Sequence, residues 1–111
     1  MMDSVDCALQ NDLIKLVERH DDTGAYLVRL GALETIVTIK LRSTWGTRTT
    51  FKQSHVIRTP EQQVPFWSCV AEGQTPAEAL RRAIDGLTTY YRRAVLHGYT
   101  PTEDWLVPAE R

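Results

Sequence analysis

The chain has little of several features that would point directly to a class of protein. Its 111 residues include two cysteines, Cys7 and Cys69, which lie far apart and form no CxxC or Cys/His ligand spacing. Neither a zinc site nor a redox motif is therefore supported. We expect two reduced, largely buried thiols in a cytosolic (cytoplasmic) protein, with a disulfide between them as the open alternative.

Long apolar runs and catalytic signatures are also missing. No run approaches the ~18 residues that a membrane span needs, and the first twelve residues are acidic and lack the apolar stretch of a secretory signal. The sequence contains no GxGxxG, GxxxxGK[ST], HExxH or GxSxG motif. We therefore expect no catalytic residue, no metal and no cofactor, and predict a protein that is not an enzyme.

Net charge is small, but the charges are segregated along the chain. The formal net charge is −1, so no overall field favours nucleic acid or membrane. Residues 1–23 nevertheless hold six acids against two bases, and residues 24–58 hold six bases against one acid. A basic block beside an acidic one indicates a local surface of one sign.

What is present predicts a single α+β domain over residues 1–111, with 108–111 frayed. The hydrophobic fraction of 42% is too high for a disordered chain and ordinary for a globular one. Apolar residues spaced three and four apart predict a first helix from Asp3 or Ser4 to about His20. Strands are predicted at Ala25–Leu30 and Glu34–Arg42, then at an edge or solvent-facing position within Thr47–Ile57, and last at Phe66–Glu72.

The second helix has the clearest boundaries. Thr75, Pro76 and Glu78 form a capping box with proline at the first helical position. Leu80, Ile84 and Leu87 begin an apolar stripe that ends near Gly98, a residue suited to the left-handed C′ position. The order Thr-Pro-x-Glu recurs at Thr100–Glu103, which predicts a short helical turn that ties Trp105 to the core. We therefore predict a two-layer fold: an antiparallel sheet of three or four strands with both helices on one face.

One group of residues suggests a binding surface. Strand alternation places several basic side chains of the middle segment on the sheet face opposite the helices, with a tryptophan at the turn. The alternative is that these charges bind no partner and only keep a solvent-exposed sheet face soluble. The candidate partner-binding residues are Lys40, Arg42, Trp45, Arg48, Lys52, His55 and Arg58.

Histidine chemistry offers little else. His20 stands beside Asp21 and Asp22 at a chain reversal, and His97 complements the negative end of the second helix. An enzyme would need His20 or His55 in a closed pocket with a strongly perturbed pKa.

The order of elements resembles that of double-stranded-RNA-binding domains, which share the order αβββα. Those domains place a lysine cluster at the start of their second helix, whereas this chain reads Thr75-Pro76-Ala77-Glu78-Ala79 there. RNA binding by that route is therefore not expected.

A second resemblance lies in Phe66-Trp67-Ser68-Cys69 followed by Thr75–Ala83. This segment is similar to one in small phage and prophage orphan proteins with sandwich-type α/β domains. The resemblance implies an accessory factor or inhibitor that acts by binding a host protein complex.

The sequence therefore favours a small interaction module that binds an acidic protein surface through the basic sheet face. Direct nucleic-acid binding by the same face is the alternative, and membrane association is not expected. The oligomeric state stays open, a homodimer included.

Overall fold

The fold is mixed α+β, as the sequence predicts, and its helices lie on one side of the main sheet. It is seen in a computed structural model that describes residues 5–43, 48–66 and 72–109. Its elements are α1 (Val5–Leu9), β1 (Ile14–His20), β2 (Ala25–Leu30), β3 (Ile36–Ser43), β4 (Thr49–Gln53), β5 (His55–Ile57), β6 (Glu72–Gly73), α2 (Pro76–Leu96), a 3₁₀ turn (Glu103–Trp105) and β7 (Leu106–Pro108).

The described strands form two antiparallel sheets. The main sheet has five strands in the order β1-β2-β3-β4-β6, and the second pairs β5 with β7. The prediction of three or four strands in one sheet is therefore wrong in number. The strands it lacked are β1, assigned to a helix, and the short β5 and β7, whose three residues each are too few to show alternation.

Helix α2 begins and ends where its sequence predicts. The Thr75 hydroxyl accepts a hydrogen bond from the Glu78 amide at 3.1 Å, which satisfies one of the free donors of the first turn. At the other end Gly98 has φ +93°, and the Tyr99 amide donates to the Ala94 carbonyl at 3.0 Å. This is the Schellman arrangement, which lets a helix end without leaving its last carbonyls unpaired.

The core lies between α2 and one face of the main sheet. On that face Val28, Val37 and Ile39 are fully buried, and on α2 so are Leu80 and Ile84. Each fully buried aliphatic side chain stabilises the fold by about 1.5–3 kcal/mol. Helix α1 packs against α2 and adds Ala8 to the same core. Helix α2 therefore covers one face of the sheet, and the short α1 lies against α2.

The first predicted helix is wrong beyond Leu9. Residues Ile14–His20 form β1, an edge strand that pairs antiparallel with β2. The register shifts between Leu16 and Glu18, so Val17 forms a β-bulge. The extra residue puts Lys15 and Glu18, three positions apart, on the same sheet face, which imitates the spacing of a helix.

Two other strand predictions are corrected. The Thr47–Ile57 segment is not an edge strand, because β4 lies between β3 and β6, while β5 belongs to the second sheet. Of the predicted strand Phe66–Glu72, residues 67–71 lie outside the described residues, and Glu72–Gly73 forms β6.

The C-terminal tail is tied to the body at three places. The Glu103 carboxylate accepts hydrogen bonds from the Glu34 and Thr35 amides, at 2.8 and 3.0 Å, and from the Thr35 hydroxyl at 2.6 Å. The Thr35 hydroxyl and then these amides hold the pKa of Glu103 below its usual value. Trp105 is buried, as predicted, with its ring edge-on to Tyr91 at 5.5 Å. The tail stays paired through the Ala109 amide, which donates to the Ser54 carbonyl at 2.9 Å.

The two cysteines were expected to be buried, and this is wrong for Cys7, which is exposed on α1. A five-residue helix at the margin of the core has too little buried surface to cover every side chain. Cys69 lies outside the described residues, as does Trp67. Within the described ranges, none of the helices is long and apolar enough to cross a bilayer.

The N-cap threonines of α2 and of the 3₁₀ turn, Thr75 and Thr102, differ in side-chain capping, which gives a matched test. Replacing Thr75 with Ala removes a hydrogen-bonded cap and should lower the free energy of unfolding by about 1 kcal/mol. Thr102 precedes the 3₁₀ turn without a side-chain cap bond, so Thr102→Ala should stay within about 0.5 kcal/mol of wild type. Urea denaturation measures both, and equal losses would contradict the cap assignment.

Gly31 and Gly98 provide a second matched pair, since both have positive φ. A Cβ at Gly31 would lie 2.2 Å from the Tyr91 hydroxyl, which accepts the Ala32 amide at 2.9 Å, whereas a Cβ at Gly98 meets nothing within 4 Å. Gly98→Ala should cost about 1 kcal/mol of backbone strain, and Gly31→Ala at least about 2 kcal/mol more. Thermal unfolding that ranks the two variants equally would show that Tyr91 yields without cost.

Candidate binding face

The side of the main sheet opposite the helices is exposed and is called the open face below. Strand alternation assigns residues to it: on β3, for example, Val37, Ile39 and Leu41 are buried against the helices while Lys40 and Arg42 are exposed. The antiparallel pairings carry this assignment to the neighbouring strands.

Cations outnumber acids on the described part of the open face. They come from β1 to β4 and from the residue just before β4. The cations are Lys15, Arg29, Lys40, Arg42, Arg48 and Lys52, and the acids are Glu18 and Glu72. The face is therefore basic although the whole chain is not.

Two pairs of these cations stand directly opposite each other on neighbouring strands. Lys15 of β1 is the register partner of Arg29 on β2, and Lys40 of β3 is the partner of Lys52 on β4. Directly opposed residues have Cβ atoms about 5 Å apart, and like charges at that separation destabilise a sheet. The free protein therefore carries a local cost on this face that an anionic partner would relieve.

Three acids of the N-terminal block pair with arginines away from the open face, whereas Glu18 lies on that face. Arg19 pairs with Asp6 of α1 and, at 2.8 Å, with Asp21 in the β1–β2 turn. The Tyr26 hydroxyl also donates to Asp21, at 2.8 Å. Burial and then this bond raise the pKa of Tyr26 to about 12, while Arg19 and then Tyr26 lower the pKa of Asp21.

Asp12 is also paired with an arginine, Arg92 of α2, at 2.9 Å. That guanidinium lowers the pKa of Asp12 below its usual value. Asp6, Asp12 and Asp21 are therefore each paired with an arginine away from the open face.

The structure brings together four of the seven predicted partner-binding residues. Lys40, Arg42 and Lys52 are exposed on adjacent strands, and Arg48 beside them forms an ion pair with Glu72 of β6.

The other three predicted residues are not part of this group. His55 is half-buried on β5 in the second sheet, with Nδ1 2.8 Å from the Ser54 hydroxyl. Arg58 follows β5, where its amide donates to the Trp105 carbonyl at 2.8 Å. Trp45 lies outside the described residues.

Sequence reasoning missed Lys15 and Arg29. Arg29 was within reach, because the alternation of Tyr26, Val28 and Leu30 into the core leaves it on the other face. Its Nε atom is buried there without a hydrogen-bond partner, an added local cost. Lys15 could not be found while its segment was assigned to a helix.

No described cluster resembles a catalytic or metal centre. His20 contacts Glu18 at 3.0 Å, and no group of three His, Cys, Asp or Glu residues in the described ranges could hold a metal ion. A shallow groove of about 420 Å³ runs along the outer side of α2 between Asn11 and Leu96. Its Arg92 is already paired with Asp12, and no histidine lines it.

Comparisons with known proteins add no identification: no family model, curated protein or solved structure gives a significant match to the chain.

The opposed lysines can be tested in the free protein. Lys52→Glu places a carboxylate opposite Lys40 and should raise the free energy of unfolding by up to about 1 kcal/mol at low salt. High salt should shrink the gain, because the Debye length falls to about 3 Å at 1 M.

The control for this variant is Arg58→Glu, which changes the net charge equally at an exposed residue outside the main sheet. It should stay within about 0.5 kcal/mol of wild type. Urea denaturation in which Lys52→Glu behaves like Arg58→Glu, or destabilises, would show that Lys40 and Lys52 do not repel each other appreciably.

Proposed function

We propose that the protein is a non-enzymatic interaction module that binds an acidic protein surface through its open face. The observation that carries this proposal is the pair of directly opposed like charges, Lys15 with Arg29 and Lys40 with Lys52. A face that needs only solubility is served by interspersed charges of both signs. Sequences tend to depart from such local rules where a function requires it.

The choice of a protein over a nucleic acid rests on what else lies on the open face. Proteins that bind single strands stack bases on aromatic side chains, and none of the open-face residues in the described ranges is Phe, Tyr or Trp. Leu27 lies between the two cation rows instead, and Ile36 lies beside Arg29. A patch with an apolar centre and a charged rim is the usual composition of a protein interface.

The resemblance of Phe66–Ala83 to phage and prophage orphan proteins suggests the biological setting. Proteins of that kind act as accessory factors or inhibitors by binding host complexes. Within this proposal, the partner is a host protein complex with an acidic surface, and the interaction takes place in the cytoplasm.

Affinity capture with two matched variants tests the proposal. Lys40→Glu/Lys52→Glu reverses charge on the open face, and Arg81→Glu/Arg82→Glu makes the same change in net charge on α2. Tagged wild type and variants are incubated with nuclease-treated lysate of the native host, and recovered proteins are quantified by mass spectrometry. We expect a defined partner whose recovery falls at least about tenfold with the open-face variant, as for an interface centre, and stays near wild type with the helix variant.

Two results would contradict the proposal. Equal recovery with both variants would remove the open face from the interaction. Recovery from untreated lysate that is lost from nuclease-treated lysate would favour nucleic acid, and binding of random DNA or RNA would then weaken steeply with rising salt as counterions are released.

A further inference from the structure

The cations of the open face border an apolar strip. Leu27 on β2 is half-buried, and Ile36 on β3 is 38% exposed although its neighbour Val37 is fully buried. Leu27 is the register partner of Thr38, so Ile36 is its diagonal neighbour, within side-chain reach. An exposed isoleucine beside a leucine on the solvent side of an antiparallel sheet breaks the usual polar-out pattern.

The two opposed cation pairs lie in rows on either side of Leu27, and Ile36 stands in the row of Lys15 and Arg29. Lys15 and Arg29 are level with Ile36, and Lys40 with Lys52 lies four residues farther along β3. At about 3.4 Å per residue the two rows are about 14 Å apart. A helix with its side chains is about 10–12 Å across, so one helix laid over Leu27 and Thr38 would fit between the rows.

We infer that the partner contributes an amphipathic α-helix, with an apolar stripe against Leu27 and Ile36 and acidic residues along both of its flanks. This inference rests on the proposed function and specifies the partner's chemistry. The carboxylates reach Lys15 and Arg29 on one side and Lys40 and Lys52 on the other. Bound in this way, the helix covers the apolar strip and compensates both like-charge pairs at once.

A helix suits this surface better than an extended segment. An added strand gains its backbone hydrogen bonds at a sheet edge, not on a sheet face. A sheet face is covered by helices or by another sheet, and α2 already covers the opposite face of the same sheet. The bound helix would complete a three-layer arrangement with the sheet in the middle.

Two synthetic peptides of about 18 residues, long enough for a helix to form in a suitable sequence, provide the probe. The striped peptide carries leucines at helical spacing with glutamates on both flanks. The scrambled peptide has the same composition and charge but no stripe. Fluorescence anisotropy measures binding of each to the full-length protein. The striped peptide should bind at least about tenfold more tightly than the scrambled one, as expected when apolar anchors contribute.

Variants of the open face assign the contacts. Ile36→Ser and Leu27→Ser should each remove most of the preference for the striped peptide, and Lys40→Glu/Lys52→Glu should weaken both peptides. Val64→Ser is the control, because Val64 is 69% exposed in the loop before Phe66, away from the main sheet. Circular dichroism melting confirms that each variant is folded.

The outcomes separate this inference from the proposed function. Equal binding of the two peptides would contradict the inference that the partner contributes an amphipathic helix. It would remain consistent with an open face that binds by charge alone. Failure of the striped peptide to bind, or a preference that survives both Ile36→Ser and Leu27→Ser, would also overturn the inference. Loss of partner capture with Lys40→Glu/Lys52→Glu would still support the proposed function in each of these cases.

Discussion

The structure depends on one contact, the packing of the α2 apolar stripe on one face of the main sheet. Leu80 and Ile84 of α2 meet Val28, Val37 and Ile39 in a core from which water is excluded. Thr75 and the Schellman turn at Gly98 set the ends of the helix. Because an antiparallel sheet can leave its second face in water, burial on one side is enough for this chain to fold. The opposite side is therefore free to vary in chemistry at modest cost to stability.

The chain uses that freedom in an unusual way. Lys40 and Lys52 stand directly opposite each other, as do Lys15 and Arg29, where charges of alternating sign would be more stable. Each unfavourable pair destabilises the sheet by a fraction of a kcal/mol to about 1 kcal/mol. This is small compared with the stabilisation from the buried core, but both pairs destabilise the free protein. Solubility does not require either pair. Asp6 and Asp21 do not offset these cations, because both pair with Arg19.

Much of this arrangement could be predicted from the sequence, and the failures have physical causes. Strong local signals gave α2, β2, β3 and the alternation that places Lys40, Arg42 and Lys52 together. The segment Ile14–His20 was assigned to a helix because Leu16 and Val17 continue the apolar spacing of three and four that begins at Val5. The pairing of β5 with β7 depends on contacts about fifty residues apart, which local patterns do not encode. Which cations stand opposite each other also depends on strand register. The pairing of Lys15 with Arg29 could therefore not be predicted while Ile14–His20 was assigned to a helix.

Strand register also determines how the basic residues are arranged on the open face. Counted along the chain, Lys15, Arg29, Lys40 and Lys52 are scattered basic residues, as expected of any solvated surface. Placed on the sheet, they form two rows, with Leu27 between the rows and Ile36 beside Arg29. Like charges repel most when both are desolvated together, so such rows favour a partner that brings carboxylates to each row as it covers the apolar strip. Charge and apolar surface then act together, because the strip contributes binding energy only when the same partner neutralises its borders.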